Sequence, residues 1–148
     1  MTPAELEAYL HDRMPLTRAM GVAVRAAGTD GVELYAPLEP NINHRDTVFG
    51  GSASALAILA AWSALHVRMR AAGLDARLVI RRNTMSYERP ITAGFTATAA
   101  GPTGEAWTRL VATMERGRPA RVNVSAQLFC EGQPVGELDG EFAVLPKT

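Results

Sequence analysis

Between Ala36 and Ser52 the chain reads APLEPNINHRDTVFGGS, which gathers amides, a histidine, a carboxylate and a Gly-Gly pair directly ahead of a long apolar run. Amides and backbone N–H groups can donate to a polarised carbonyl, and a carboxylate or imidazole can take a proton from water. Together these residue types make a candidate anion or oxyanion site. Pro37, Pro40, Asn41 and Asn43 interrupt both helix and strand, so a loop must present the polar groups at the start of the next helix. Gly50 and Gly51 let a ligand approach the backbone closely, and the unpaired N–H groups of a first helical turn can donate to a developing oxyanion.

Each of these residues also has a plainer reading. Asn41 and Asn43 serve as turn residues, Asp46 as a loop acid or helix cap, and His44 as a solvent-facing histidine. No carboxylate occurs between Asp46 and Asp75, so the apolar helix cannot supply a general base. Asp46 is the nearest candidate and His44 the second. Ser52 and Ser54 stand in Gly-Gly-Ser-Ala-Ser rather than Gly-x-Ser-x-Gly, which disfavours a serine nucleophile. His11 and His66 lack metal-ligand spacing, and neither a metal nor a bound cofactor is expected.

These groups need a scaffold to hold them. Thr2-Pro3 with Glu5 starts a short helix that ends before Pro15, with Leu6, Tyr9, Leu10 and Met14 at helical spacing. Alternation from Met20 to Val24 and from Val32 to Ala36, around Gly28-Thr29-Asp30-Gly31, predicts two strands and a hairpin turn. From Ser52 to Ala71, Leu56, Leu59, Trp62 and Leu65 stand among alanines, so the helix is apolar nearly all round and must be wrapped by other structure. Trp62 and Met69 suggest a narrow acyl tunnel beside it. Further strands are expected at Arg77 to Tyr87, Gly94 to Ala100, Arg121 to Glu131, and around Leu138 to Val144, with an amphipathic helix from Glu105 to Glu115. Cys130 falls on the core face of its strand, as a buried structural thiol.

A chain of 148 residues that is 47% hydrophobic makes one domain, 1–148, with a real core. Its formal net charge of zero argues against nucleic-acid or membrane-surface binding by bulk charge. The charge is nevertheless uneven: residues 68–89 carry 6 basic and 2 acidic side chains, and residues 1–46 carry 4 and 7. A lone cysteine allows no internal disulfide, and the N-terminal residues are not of signal-peptide type, so a cytoplasmic protein is expected. The Gly50–Val67 run holds no charge but is rich in Ala, Gly and Ser, which favours a core helix over a membrane span.

The expected order is a helix, two strands, one long apolar helix, then four strands with a helical insert. It makes an α+β hotdog fold, an antiparallel sheet wrapped around a central helix. LHDRMPLTRAMG, APLEPNINHRDTVFGGS and MSYERPITAG resemble the thioesterase family built on the YiiD C-terminal domain, over nearly the whole chain. The resemblance implies an acyl-CoA or acyl-carrier-protein thioesterase, here as the stand-alone form of a domain that elsewhere follows an acetyltransferase domain. A broader group of hotdog thioesterases uses Asn-x-x-Gly-x-x-His-Gly-Gly with an acid further along the helix. Laid on this chain, that pattern gives Asn43, Asp46, Phe49, Gly50 and Gly51, and places Ile58 where the acid belongs.

The resulting expectation is thioester hydrolysis by base-activated water. Asn43, Asp46, Gly51 and His44 are the catalytic candidates, and Asn41, Phe49, Gly50, Ser52, Arg82 and Arg118 the substrate-binding ones. Arg82 and Arg118 would meet the phosphates of coenzyme A, which enters only as part of the substrate. Acyl-thioester hydration or dehydration is an alternative, from a weak likeness of Glu39 to Asp46 to a hydratase signature. A non-catalytic acyl-CoA or acyl-carrier binding module is another, because the helix lacks its acid. The long, extended Arg77 to Tyr87 segment would leave an unpaired sheet edge, which predicts a homodimer joined through that strand, or a dimer of dimers.

Overall fold

The computed structural model describes residues 1–147. Helix α1 (Pro3–Arg13) begins on Thr2, whose hydroxyl accepts the Glu5 N–H at 3.1 Å, and it sinks Leu6 and Leu10 completely into the core. Pro15 then opens a second short helix, α2 (Pro15–Met20), where the alternation had predicted a strand from Met20. Proline's fixed φ and missing N–H suit a first helical position as well as they suit a stop. Gly21 ends α2 in the left-handed region at φ 73°, and a Cβ there would press on the Pro37 ring at 2.9 Å. The chain therefore becomes extended only at Ala23.

Six strands form one antiparallel sheet: β1 (Ala23–Gly28), β2 (Gly31–Ala36), β3 (Ala76–Tyr87), β4 (Phe95–Ala99), β5 (Ala120–Cys130) and β6 (Gln133–Pro146). Their spatial order is β1-β2-β4-β5-β6-β3. Along β5 the side chains of Ala120, Val122, Val124, Ala126, Leu128 and Cys130 are buried, while Arg121, Asn123, Ser125 and Gln127 are exposed. That alternation directs one face of the sheet onto the central helix.

The central helix α3 (Gly50–Ala71) packs against every strand of the sheet. Leu56, Ala57, Ala60, Ala61 and Leu65 are fully buried, and the alanines let the curved sheet close tightly around its axis. By length and composition alone α3 could cross a membrane, with a mean hydropathy of 1.3, but here it is the core of a hotdog fold. A fourth helix, α4 (Gly104–Glu115), lies against β5 and buries Leu110. Arg68 ties α4 to α3 by stacking its guanidinium 4.3 Å from the Trp107 ring centroid.

Strand β3 lies at the end of the sheet, paired only with β6. From Arg81 to Thr84 its side chains are exposed on both faces, and Val79 and Tyr87 leave 47% and 59% of their surface open.

Candidate active site

The loop between β2 and α3 is built to aim the start of α3. A 3-10 turn at Glu39–Asn41 buries Asn41, whose amide NH2 donates to the carbonyls of Met20 at 2.9 Å and Pro37 at 2.8 Å. The Asn41 carbonyl in turn accepts the Phe49 N–H at 2.7 Å, so one residue joins α2, the loop and the helix entry. Asn41, expected among the substrate-binding groups, is only 2% exposed and braces the loop from inside. Among the described residues its side-chain oxygen has no partner.

Asn43 also spends its side chain on the loop. Its Oδ1 accepts the N–H groups of Arg45 at 2.8 Å and Thr47 at 3.2 Å, and its Nδ2 donates to the Thr47 hydroxyl at 2.9 Å. This is the side-chain turn mimicry typical of asparagine, and it leaves one N–H of the amide without a partner among the described residues. His44 and Asp46 stand exposed on the same loop, Asp46 with a left-handed φ of 60°. Neither caps α3, whose N-cap residue Phe49 makes no side-chain capping bond.

At the helix start the N–H groups of Ser52 and Ala53 both return to the Phe49 carbonyl, at 2.9 and 3.1 Å. Gly50 and Gly51 come one turn too early for an intrahelical acceptor, and among the described residues their N–H groups have none. A Cβ on Gly50 would touch the Tyr87 ring at 3.5 Å, whereas one on Gly51 would collide with the Phe49 ring. The first turn of α3 is thus flanked by two half-exposed aromatic rings, Phe49 and Tyr87.

Beside them a cleft of about 400 Å³ runs between the start of α3, the end of β3 and the segment leading into β4. Gly50 lines it with Val48, Ala53, Met85, Ile91, Leu128 and Val135, a wall fit for an alkyl chain. Its carboxylate is Glu88, held where the N–H groups of Glu88 and Arg89 both reach the Val135 carbonyl, at 3.0 and 3.3 Å. Sequence reasoning missed Glu88 because it lies far from Gly50 along the chain. Its signal was the MSYERPITAG segment, which carried the family resemblance but from which no site residue was taken.

The remaining expected residues scatter. Ser52 is half-buried on the first turn of α3 and does not line the cleft. Arg82 is exposed on β3, near the register of Glu141, and Arg118 is exposed between α4 and β5. Because Ala120 pairs with Val144, which pairs with Leu78, Arg118 lies at the end of the sheet opposite Tyr87 and the cleft. Trp62 lines a smaller apolar cleft with Met14, Leu16, Ile58 and Ile80, and together Trp62 and Met69, expected beside an acyl tunnel, line a different cleft toward the C-terminal end of α3. His66 stands with them, its pKa lowered from 6.5 to about 4 by burial first and then by the positive charges of Arg70 and Lys147. Among the described residues no group of three or more His, Cys, Asp or Glu side chains could hold a metal ion.

Solved structures repeat this architecture. A putative thioesterase from Shewanella oneidensis is 26% identical with a TM-score of 0.87, covering 97% of each chain. A protein of unknown function from Chlorobaculum tepidum is 26% identical with a TM-score of 0.91, covering 99% of this chain and 98% of its own. A Pseudomonas aeruginosa protein, 20% identical with a TM-score of 0.80 over 98% of this chain and 97% of its own, shares the fold. The sequence pattern of one family matches residues 3–146, and the chain belongs to that family, described as "Putative thioesterase (yiiD_Cterm)".

Proposed function

We propose that this protein hydrolyses acyl thioesters of coenzyme A or of an acyl carrier protein at the cleft beside Gly50. The observation that carries the reading is the pair of N–H groups on Gly50 and Gly51, unpartnered among the described residues, with Gly50 lining an apolar cleft that also holds a carboxylate. In this reading the thioester oxygen accepts from those N–H groups, which stabilise the charge it gains in the tetrahedral intermediate. The acyl chain lies against Val48, Ile91, Leu128 and Val135. Glu88 takes a proton from water as the water oxygen bonds to the carbonyl carbon. Collapse of the intermediate breaks the C–S bond, and the thiolate leaves and is protonated.

Asp46 is the second reading for the base. What favours it is its left-handed backbone on a loop beside the helix start, a conformation that non-glycine residues adopt at a cost and that clusters at functional sites. Binding without turnover is favoured by Ile58, which occupies the helix position where the broader hotdog thioesterases carry an acid.

The working unit in this proposal is a cytoplasmic homodimer. Two β3 strands pair edge to edge, which removes the open ladder of N–H and C=O groups and covers Val79 and Tyr87. Arg82 and Arg118 of the partner subunit would then be available to coenzyme A phosphates. Light scattering at micromolar concentration should give twice the chain mass, and Val79→Glu should halve it; a wild-type monomer would remove the dimer from the proposal.

The deciding experiment is thiol release from a panel of acyl-CoA and acyl-carrier-protein substrates of graded chain length. Release from one carrier class identifies the substrate. Hydration of crotonyl-CoA without thiol release would replace hydrolysis with the hydratase reaction. Tight binding without either product would leave a binding module.

A further inference from the structure

The cleft toward the C-terminal end of α3 is larger than the one at its start, about 670 Å³ against about 400 Å³; the residues proposed to hydrolyse the thioester do not line it, and Val79 at the proposed β3 dimer edge lies on its wall. Sixteen residues of helix separate His66 on its wall from Gly50, which is about 24 Å at 1.5 Å per residue. One wall is aromatic. Tyr9 from α1 and Trp62 and His66 from α3 form a triangular cluster, with the Tyr9 and Trp62 centroids each 4.7 Å from the His66 centroid and 6.2 Å from one another, at interplanar angles of 14° to 28°. The Trp62 indole N–H donates to the Leu78 carbonyl at 3.0 Å, which fixes the ring and the strand that forms the opposite wall.

The rim is basic. Arg70, Arg77 and Lys147 line the cleft, and the acidic side chain beside them is Asp75, already bonded to the Lys147 ammonium at 2.7 Å. Among the described residues the Arg70 and Arg77 guanidiniums have no carboxylate partner. Two guanidiniums without a carboxylate partner among the described residues offer planar, paired donors suited to phosphate oxygens, and the half-exposed rings that line the cleft offer a surface for a flat heterocycle. The depressed pKa of His66 keeps its ring neutral at pH 7, so the aromatic wall adds no charge of its own.

We propose that this second cleft binds a nucleoside phosphate, its base against the Tyr9 and Trp62 wall and its phosphates between Arg70 and Arg77. A carboxylate ligand would use one guanidinium and leave the other unpaired, whereas a diphosphate answers both. The nucleotide can come from two sources, a free nucleotide or the nucleotide end of coenzyme A. The proposal does not depend on the hydrolytic reading, because it rests on residues at the other end of the helix.

The test is tryptophan fluorescence in a Trp107→Phe background, where Trp62 is the remaining reporter, with calorimetry on the wild type. ADP should change Trp62 emission saturably. Adenosine and inorganic phosphate, each lacking half of the ligand, should bind at least tenfold more weakly. Arg70→Gln and Arg77→Gln are exposed substitutions that leave the fold intact, and each should weaken ADP about tenfold, the loss of one charge-assisted contact. Tyr9→Leu should weaken ADP while sparing phosphate. Equal strength of ADP and coenzyme A, with the same Arg77→Gln sensitivity, assigns the source to coenzyme A; ADP binding without coenzyme A binding assigns it to free nucleotide. Absence of any ADP effect at millimolar concentration, or ADP affinity unchanged in both arginine variants, overturns the proposal.

Discussion

Gly50 faces the ring of Tyr87 across a gap that a methyl group would fill at 3.5 Å, an ordinary van der Waals contact that joins the first residue of α3 to the last residue of β3. Its neighbour Gly51 has no such room, because a Cβ there would overlap the Phe49 ring. Gly50→Ala should therefore fold and gain helix propensity of up to about 1 kcal/mol, with activity little changed. Gly51→Ala must turn the Phe49 ring, which is 57% exposed and free to swing over the N–H groups proposed as oxyanion donors. Thioester turnover should fall by about 10-fold or more in Gly51→Ala and recover in the Gly51→Ala, Phe49→Ala double variant, a non-additivity that a double-mutant cycle measures. Additive losses would mean that the Gly51 backbone itself, and not the ring, was disturbed.

Asn43 separates a loop role from a catalytic one. Its Oδ1 accepts two backbone N–H groups, while its Nδ2 has one partner, the Thr47 hydroxyl. Asn43→Asp keeps both acceptor bonds and should retain most of the stability and the turnover. Asn43→Ala should lose about 1 kcal/mol or more in denaturant melts, because two N–H groups lose their acceptor. If Asn43→Asp folded like wild type but lost turnover, the amide NH2 would be meeting substrate after all.

The fold was legible where one residue's neighbours in sequence are also its neighbours in space. The alternation from Val122 to Cys130 and the apolar, alanine-rich faces of α3 carried the whole architecture, because burial of one strand face and of a wrapped helix is written locally. The second short helix was not legible, since Pro15 serves equally to end one helix and to begin another. The site was read only in part. Gly50 and Gly51 announced the helix start, but Asn41 acts through the Met20 carbonyl and Glu88 is held by Val135, and no spacing rule predicts such distant partners.

His66 predicts a pH dependence of stability. Its native pKa of about 4 lies below the ordinary 6.5, because burial and the Arg70 and Lys147 charges disfavour the protonated ring. The unfolded chain therefore binds a proton that the native protein refuses as pH falls through 6.5. Stability should be unaffected by this group above that pH, decline as pH falls from 6.5 toward 4, and stop declining on its account below about 4. His66→Gln removes the titration, so denaturant melts of the two proteins should differ in slope across that window and run parallel above it. Parallel curves throughout would show that His66 protonates as readily in the folded protein as in the unfolded one.

Glu88 and Asp46 compete for one catalytic role, and their surroundings give them different signatures. Glu88 lines the cleft with Gly50, so a water between it and the thioester carbon would lie beside the oxyanion donors. Asp46 is exposed on the loop before α3, outside the residues that line that cleft. Loss of a general base typically costs about 10² to 10⁴ in rate. Glu88→Gln should therefore lower kcat by that order with the KM for acyl-CoA little changed, since the acyl chain rests on Val48, Ile91, Leu128 and Val135. Asp46→Asn should keep kcat within a few-fold, and Asp46→Gly should raise stability slightly by relieving the left-handed backbone. The opposite pattern, full turnover in Glu88→Gln and collapse in Asp46→Asn, would give the proton transfer to the loop and leave Glu88 as a surface acid at the cleft mouth.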